Sequence, residues 1–183
     1  KVGKAIEAQE QTKIIDATAL LVMPGYIDLH VHFRDPGLTY KEDILTGGRA
    51  AAKGGVTSVC AMPNTKPAVD SVDTISYIYN KAKETPTNVL QLSAITKGMG
   101  GKELVDMEAM KKAGAIAFSE DGKSVMDINL YFEAMKKAAA MDALVMAHCE
   151  DKDLVGKGVL NKGVASDKYN VEGITLFDTE IEY

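Results

Sequence analysis

The sequence predicts an α/β fold in which five strands alternate with helices, and three observations carry that prediction. Five short apolar or β-branched runs are each bounded by turn residues. They begin at residues 26, 56, 88, 115 and 143, so successive starts lie 27–32 residues apart. The gaps between them hold apolar residues at the i, i+3, i+4, i+7 spacing of a helix with one buried face. Strand, loop, helix and loop repeated at such an interval belong to a parallel sheet. Two architectures meet this pattern: an open doubly wound sheet, or part of a (β/α)8 barrel. The G-x-G-x-x-G that would cradle a dinucleotide is missing after the first strand, which counts against the first. A closed barrel needs roughly 250 residues, more than the 183 present.

Taken in order, residues 1–24 contain TKIIDATALLVMP, strand-like but outside the rhythm. The first strand is YIDLHVH (26–32), followed by a weak helix over 41–53 that Gly54-Gly55 releases. The second strand is VTSVCAM (56–62). In the helix after it, Ile75, Ile78, Tyr79 and Ala82 share a face and Asp70 or Ser71 can cap the first turn. The third strand is NVLQLSAI (88–95), with a weak helix over 103–113 ending before Gly114. The fourth is AIAFSE (115–120). The helix after it places Ile128, Tyr131, Phe132, Met135, Ala138 and Ala139 on its inner face, with Asp127 as cap, and the fifth strand is ALVMAHCE (143–150). All five strands are expected to be buried on both faces. Residues 151–173, rich in Gly, Lys and Asp, read as a long loop of the kind that carries function.

The composition is that of a globular chain, 46% hydrophobic and 26% charged, with a net charge of −5. No basic stripe exists, which argues against nucleic acid. Apolar stretches are too short to span a bilayer and no signal-peptide pattern opens the sequence, so a cytoplasmic location is expected. Cys60 and Cys149 both lie in apolar, strand-like runs and are expected to be buried free thiols.

All three histidines sit at the ends of expected strands. His30 and His32, one residue apart, point to the same face while Val31 points to the other. Two imidazoles so placed can reach one divalent ion. His148 closes the fifth strand. Acids at the same level are Glu120 and Asp121 after the fourth strand, and Glu150 and Asp151 after His148. Asp121 suits a carboxylate bridging two ions, although an aspartate in Glu-Asp-Gly is also a common turn residue. Arg34 is the next residue on the His30/His32 face, and Pro36-Gly37 behind it fits the centre of a type II turn. Its guanidinium can clamp a substrate carboxylate or pair at the surface with Asp35. Asn64, after the second strand, offers both donor and acceptor to a substrate, or serves as a turn-former before Pro67.

The segments PGYIDLHVHFRDPG, AAKGGVTSVCAMPNTKP, SAITKG, AFSEDGKSV and VMAHCED, in that order, resemble successive segments of the dihydroorotases within the cyclic amidohydrolases, a superfamily of metal-dependent hydrolases. The resemblance covers roughly residues 14–173. It implies an incomplete (β/α)8 TIM barrel, the first five strands, with part of a small flanking β-sandwich. Residues 1–24 would be sandwich strands, 25–173 the five βα units, and 174–183 a return strand into the sandwich, with an internal stretch missing. It implies interconversion of N-carbamoyl-L-aspartate and L-dihydroorotate, a cyclic amide hydrolysis within pyrimidine synthesis. It further implies one or two Zn²⁺ ions: His30 and His32 on one, Asp121 bridging, and His148 on the second, with Glu120 the less favoured bridge. Arg34 and Asn64 match the positions that hold the substrate carboxylate. Asp121, in place of a carboxylated lysine, resembles the longer, type I members. The resemblance also calls for a further metal-binding histidine and a proton-shuttling aspartate after an eighth strand, neither of which these residues supply. A homo-oligomer and association with aspartate carbamoyltransferase are its implied assemblies. The alternatives are another cyclic amidohydrolase, an allantoinase or hydantoinase, or an inactive fragment that scaffolds a partner.

Overall fold

Five parallel strand positions, each followed by a helix or turn, form the body of the chain in a computed structural model that describes residues 12–174 together with Gly3, Glu7 and Glu10. The strands are β1 (Tyr26–Val31), β2 (Val56–Ala61), β3 (Asn88–Gln91), β4 (Ser93–Ala94), β5 (Ala117–Ser119) and β6 (Leu144–Met146). The helices are α1 (Ile44–Lys53), α2 (Val72–Ala82), α3 (Met107–Lys112) and α4 (Ile128–Ala140). β1, β2 and β3 pair in parallel, as do β4, β5 and β6.

The expected single strand over 88–95 is broken at Leu92, where the run exchanges neighbours. β3 pairs with β2, and β4 pairs with β5. At the hand-over the Leu92 N–H still donates to Ala61 O while Ile116 N–H donates to Gln91 O. The buried Gln91 side chain closes the gap by donating to Ala61 O and Leu92 O. The array is therefore continuous across the break.

Each helix begins where a short polar side chain satisfies free N–H groups. Asp43 accepts from Leu45 and Thr46 N–H at α1, and Ser71, rather than Asp70, accepts from Thr74 N–H at α2. Asp106 accepts from Ala109 N–H at α3, and Asp127 from Asn129 and Leu130 N–H at α4. The left-handed exits fall on Gly55 and Gly114, at φ +82° and +112°, while Gly54 stays right-handed.

The sheet has two unlike faces. Val59, Val89 and Phe118 meet Ile44, Ile75, Ile78, Met107, Met110, Ala134 and Ala138, so α1 to α4 all contribute to one core. Alternate residues Cys60, Met62, Leu92 and Ala117 form a small cluster on the other face. A doubly wound sheet carries helices on both faces; here the four helices share one.

Burial on both faces holds for β4 and β5 but not for the outer strands. Tyr26, Ile27 and Leu29 of β1 and Leu144 of β6 are exposed, because these strands end the array and nothing described packs over them. In α4 the inner face runs through Tyr131, Ala134 and Ala138. Ile128, Phe132, Met135 and Ala139 form a neighbouring stripe that faces outward, contrary to the sequence expectation.

Residues 12–24 carry no strand; Ile14, Ile15, Leu20 and Leu21 are exposed, and one turn is held by Thr18 on Asp16. The expected loop over 151–173 contains short elements: α5 (Lys152–Val155), β7 (Leu160–Asn161), α6 (Val164–Tyr169) and β8 (Gly173–Ile174), with β7 and β8 parallel. Most of residues 1–11 and the expected return strand beyond Ile174 lie outside the described residues. Among the described residues no helix is long and apolar enough to cross a membrane.

Candidate metal centre

Because the strands are parallel, the C-terminal ends of β1, β2, β4, β5 and β6 share one edge, and the candidate residues collect there. Val31 packs against the helix-side core, so His30 and His32 project from the opposite face, as alternation requires. Their Nε2 atoms lie 3.2 Å apart and the rings meet edge-on. Asp121, two residues past β5, stands between them, 4% exposed. Its Oδ1 is 3.3 Å from His30 Nε2 and its Oδ2 is 3.3 Å from His32 Nε2. His148 reaches the same carboxylate from beyond β6, with Nδ1 3.2 Å from Asp121 Oδ1. Its other nitrogen, Nε2, lies 3.4 Å from Glu150 Oε2.

A buried carboxylate with imidazole nitrogens at both oxygens is a donor set that suits a divalent ion. His30, His32 and Asp121 each offer a ligand atom within 4.8 Å of the others, close enough to hold one. His148 joins through Asp121 alone, so the carboxylate is shared by two groups of nitrogens.

Asp121 is itself held in place. Its N–H donates to Ser119 Oγ, which in turn donates to Met146 O. Glu120 faces away from the histidines. Its carboxylate accepts from Ile95 N–H, Thr96 N–H and the Thr96 hydroxyl. Burial pushes the Glu120 carboxyl up from its ordinary range, opposed by the bonds from Thr96 and Ile95. Asp151 caps α5.

Asn64 does not stand apart as a turn residue. Its Oδ1 lies 2.8 Å from His32 Nδ1, and its Nδ2 donates to Asp121 Oδ2 at 3.4 Å. A 32-residue separation hides this contact from any local pattern; only the strand periodicity brings the two residues to one edge.

Arg34 is placed by a turn rather than by strand alternation. β1 ends at Val31, and Arg34 has φ +59°. The turn is closed by Leu38 N–H on Arg34 O, one residue wider than a type II turn, with Gly37 at φ +84° and a cis bond before Pro36. Asp35 does not pair with Arg34. Its buried carboxylate meets Lys81 Nζ at 2.6 Å, the Tyr77 hydroxyl at 2.9 Å and Ile44 N–H at 3.3 Å. Among the described residues the Arg34 guanidinium makes no hydrogen bond or ion pair. Lys66 N–H donates to Pro36 O, docking the Asn64 loop on the Arg34 turn.

An apolar cleft lined by Ile95, Val125, Met126, Ile128 and Tyr131 opens beside His148. Both cysteines are free; Cys60 is buried, whereas Cys149 is exposed. The expectation of two buried thiols fails at Cys149 because it lies beyond β6, at φ +53°, where the chain has left the sheet.

Comparison with known families assigns a family to this fold and edge. A family described as "Dihydro-orotase-like" matches residues 19–177. The chain belongs to this dihydro-orotase-like family. It is 52% identical over 173 residues to a dihydroorotase of Clostridioides difficile, covering 94% of this chain and 41% of that protein. It is 51% identical, with the same coverage, to a dihydroorotase of Clostridium acetobutylicum. The chain thus spans about two-fifths of the length of the curated relatives it matches. Among solved structures it resembles an L-hydantoinase (dihydropyrimidinase) from Arthrobacter aurescens, with a TM-score of 0.63 at 24% identity, covering 77% of this chain and 32% of that one. It also resembles a dihydroorotase from Saccharomyces cerevisiae, solved with 5-fluoroorotic acid, with a TM-score of 0.55 at 19% identity, covering 71% and 37%. These structural likenesses concern the fold.

Proposed function

We propose that this chain supplies the metal-binding half of a zinc-dependent dihydroorotase that interconverts N-carbamoyl-L-aspartate and L-dihydroorotate. One observation carries the reading: a buried aspartate, Asp121, has an imidazole nitrogen from His30, His32 or His148 against each of its oxygens. Membership of the family and the named relatives support it.

In this reading the five strand positions are the first five βα units of a (β/α)8 barrel. Helices confined to one face of the sheet support it, and the exposed β1 and β6 are where further barrel strands would pair. Residues 12–24, the continuously described part of the segment 1–24 that the resemblance likens to a flanking sandwich, lead into β1.

His30, His32, Asp121 and His148 would hold the Zn²⁺, the first two on one side of the carboxylate and His148 on the other, with Glu150 placed to orient the His148 ring. When bound, such ions would polarise a carbonyl oxygen and, by lowering the pKa of water, make a nucleophile available at neutral pH. The protein's own contribution is placement. Arg34, which makes no hydrogen bond or ion pair among the described residues, takes the substrate carboxylate bidentately. Asn64 has a second lone pair and a second N–H beyond those used on His32 and Asp121, and these can meet the same substrate. Holding the ring against the metal edge is a proximity effect.

Turnover by the full chain tests the reading with a panel of dihydroorotate, carbamoyl-aspartate, hydantoin and allantoin. Dihydroorotate is the expected substrate. Arg34→Met should raise KM for it at unchanged zinc content. Preference for hydantoin or allantoin would transfer the site to another cyclic amidohydrolase, and zinc binding without turnover of any of the four would make the chain a scaffold.

A further inference from the structure

We infer that Asn64 is a positioning residue that selects the metal-ligating tautomer of His32; the inference rests on the metal reading above and adds a role which that reading does not contain. The reasoning starts from the carboxylate. Ionised Asp121 only accepts hydrogen bonds. The Asn64 atom facing Asp121 Oδ2 at 3.4 Å must therefore be the NH2 end, since a carbonyl there would set two acceptors against each other. The amide is planar, so its other end, Oδ1, is the atom 2.8 Å from His32 Nδ1. A carbonyl oxygen accepts and never donates, so His32 Nδ1 must carry the proton. In the neutral ring the lone pair then resides on Nε2, the atom that faces Asp121 Oδ2 at 3.3 Å and His30 Nε2 at 3.2 Å. One amide thus fixes the direction of its two hydrogen bonds, to Asp121 and from His32, and leaves Nε2 unprotonated toward the centre, where its lone pair and Asp121 Oδ2 are two acceptors face to face that a cation held between them would relieve.

The loop is built to hold that amide. Lys66 N–H donates to Pro36 O and Val69 N–H to Pro63 O. Gly122, directly after Asp121, brings its backbone close enough that a Cβ there would lie 3.3 Å from Asn64 Nδ2. The neighbouring glycine leaves the room the amide occupies.

Two measurements on the full chain test this. In metal-free wild-type protein at pH 9, long-range ¹H–¹⁵N NMR of the His32 ring should show Nδ1–H; Nε2–H overturns the inference without any substitution. Zinc or cobalt affinity, measured by chelator competition, should fall about tenfold or more in Asn64→Ala, the scale at which partners of metal-ligating histidines act. Asn64→Asp, which keeps an acceptor for His32, should retain the Nδ1–H tautomer that Asn64→Ala loses. A merely structural asparagine would lower the Tm of Asn64→Ala and leave affinity and tautomer alone, and that result overturns the inference. Wild-type protein that takes up neither metal but shows His32 Nδ1–H would sink the metal reading while leaving the tautomer assignment standing.

Discussion

Lys81→Met should destabilise the protein by about 2–3 kcal/mol, and the number follows from the environment of Asp35. The Asp35 side chain is fully buried, with Lys81 Nζ at 2.6 Å, while Lys81 itself keeps 26% of its side chain exposed. Removing one partner of a buried ion pair costs about 3–5 kcal/mol, because the other charge is left uncompensated. A value at or just below the lower end applies here, since the carboxylate keeps Tyr77 and the Ile44 N–H, and the ammonium is partly hydrated. For a domain of this size the Tm should fall by about 5–10 °C. Urea unfolding of wild type, Lys81→Met and Asp35→Asn/Lys81→Met at pH 7 measures it. The double variant should recover part of the loss, because a neutral amide needs no cation. The effect also has a pH signature. The hydrogen bond to Asp35 holds the Lys81 ammonium above the ordinary lysine range, against the opposing effect of burial. A raised folded value means that the contribution is fully present below the ordinary lysine pKa and is lost as pH rises through the raised one. On the lysine side, the gap between wild type and Lys81→Met should therefore persist through neutral pH and close in alkali. A Lys81→Met protein within about 0.5 kcal/mol of wild type at pH 7, the range of a neutral surface change, would refute this account of how the Arg34 turn is anchored to α2.

Gly37→Ala should cost at least about 2 kcal/mol, because a Cβ at φ +84° would lie 1.7 Å from the Lys66 carbonyl oxygen. The Lys66 amide should then lose hydrogen-exchange protection, and unchanged protection would contradict the docking of the two loops. Asp127→Ala should lower stability by about 1 kcal/mol through the two N–H groups it leaves without an acceptor at the start of α4, whereas Asp127→Asn should cost much less; equal losses in thermal unfolding would argue against capping.

Much of this was legible because β structure repeats every two residues and helices near every three and a half. The period places His30 and His32 on the face opposite Val31, and the strand interval brings Asp121 and His148 to the same edge. Short polar residues before helical runs marked the caps Ser71 and Asp127. What stayed hidden depends on neighbours. Helix α4 carries two apolar stripes, and periodicity alone does not say which one meets the sheet; Tyr131, Ala134 and Ala138 do, and Phe132 does not. The break at Leu92 reflects an exchange of strand partners, which no residue type encodes. The pairing of Asp35 with Lys81 and of Asn64 with His32 spans 46 and 32 residues, and Arg34 escaped strand alternation because its backbone turns left-handed at φ +59°.

The shared carboxylate is tested most directly by metal analysis of the full chain after dialysis, comparing wild type with Asp121→Ala. Wild type should retain one or two divalent ions per chain, and Asp121→Ala should lose the ion between His30 and His32 together with any on His148. Wild-type protein free of metal, or Asp121→Ala holding as much as wild type, would contradict the account.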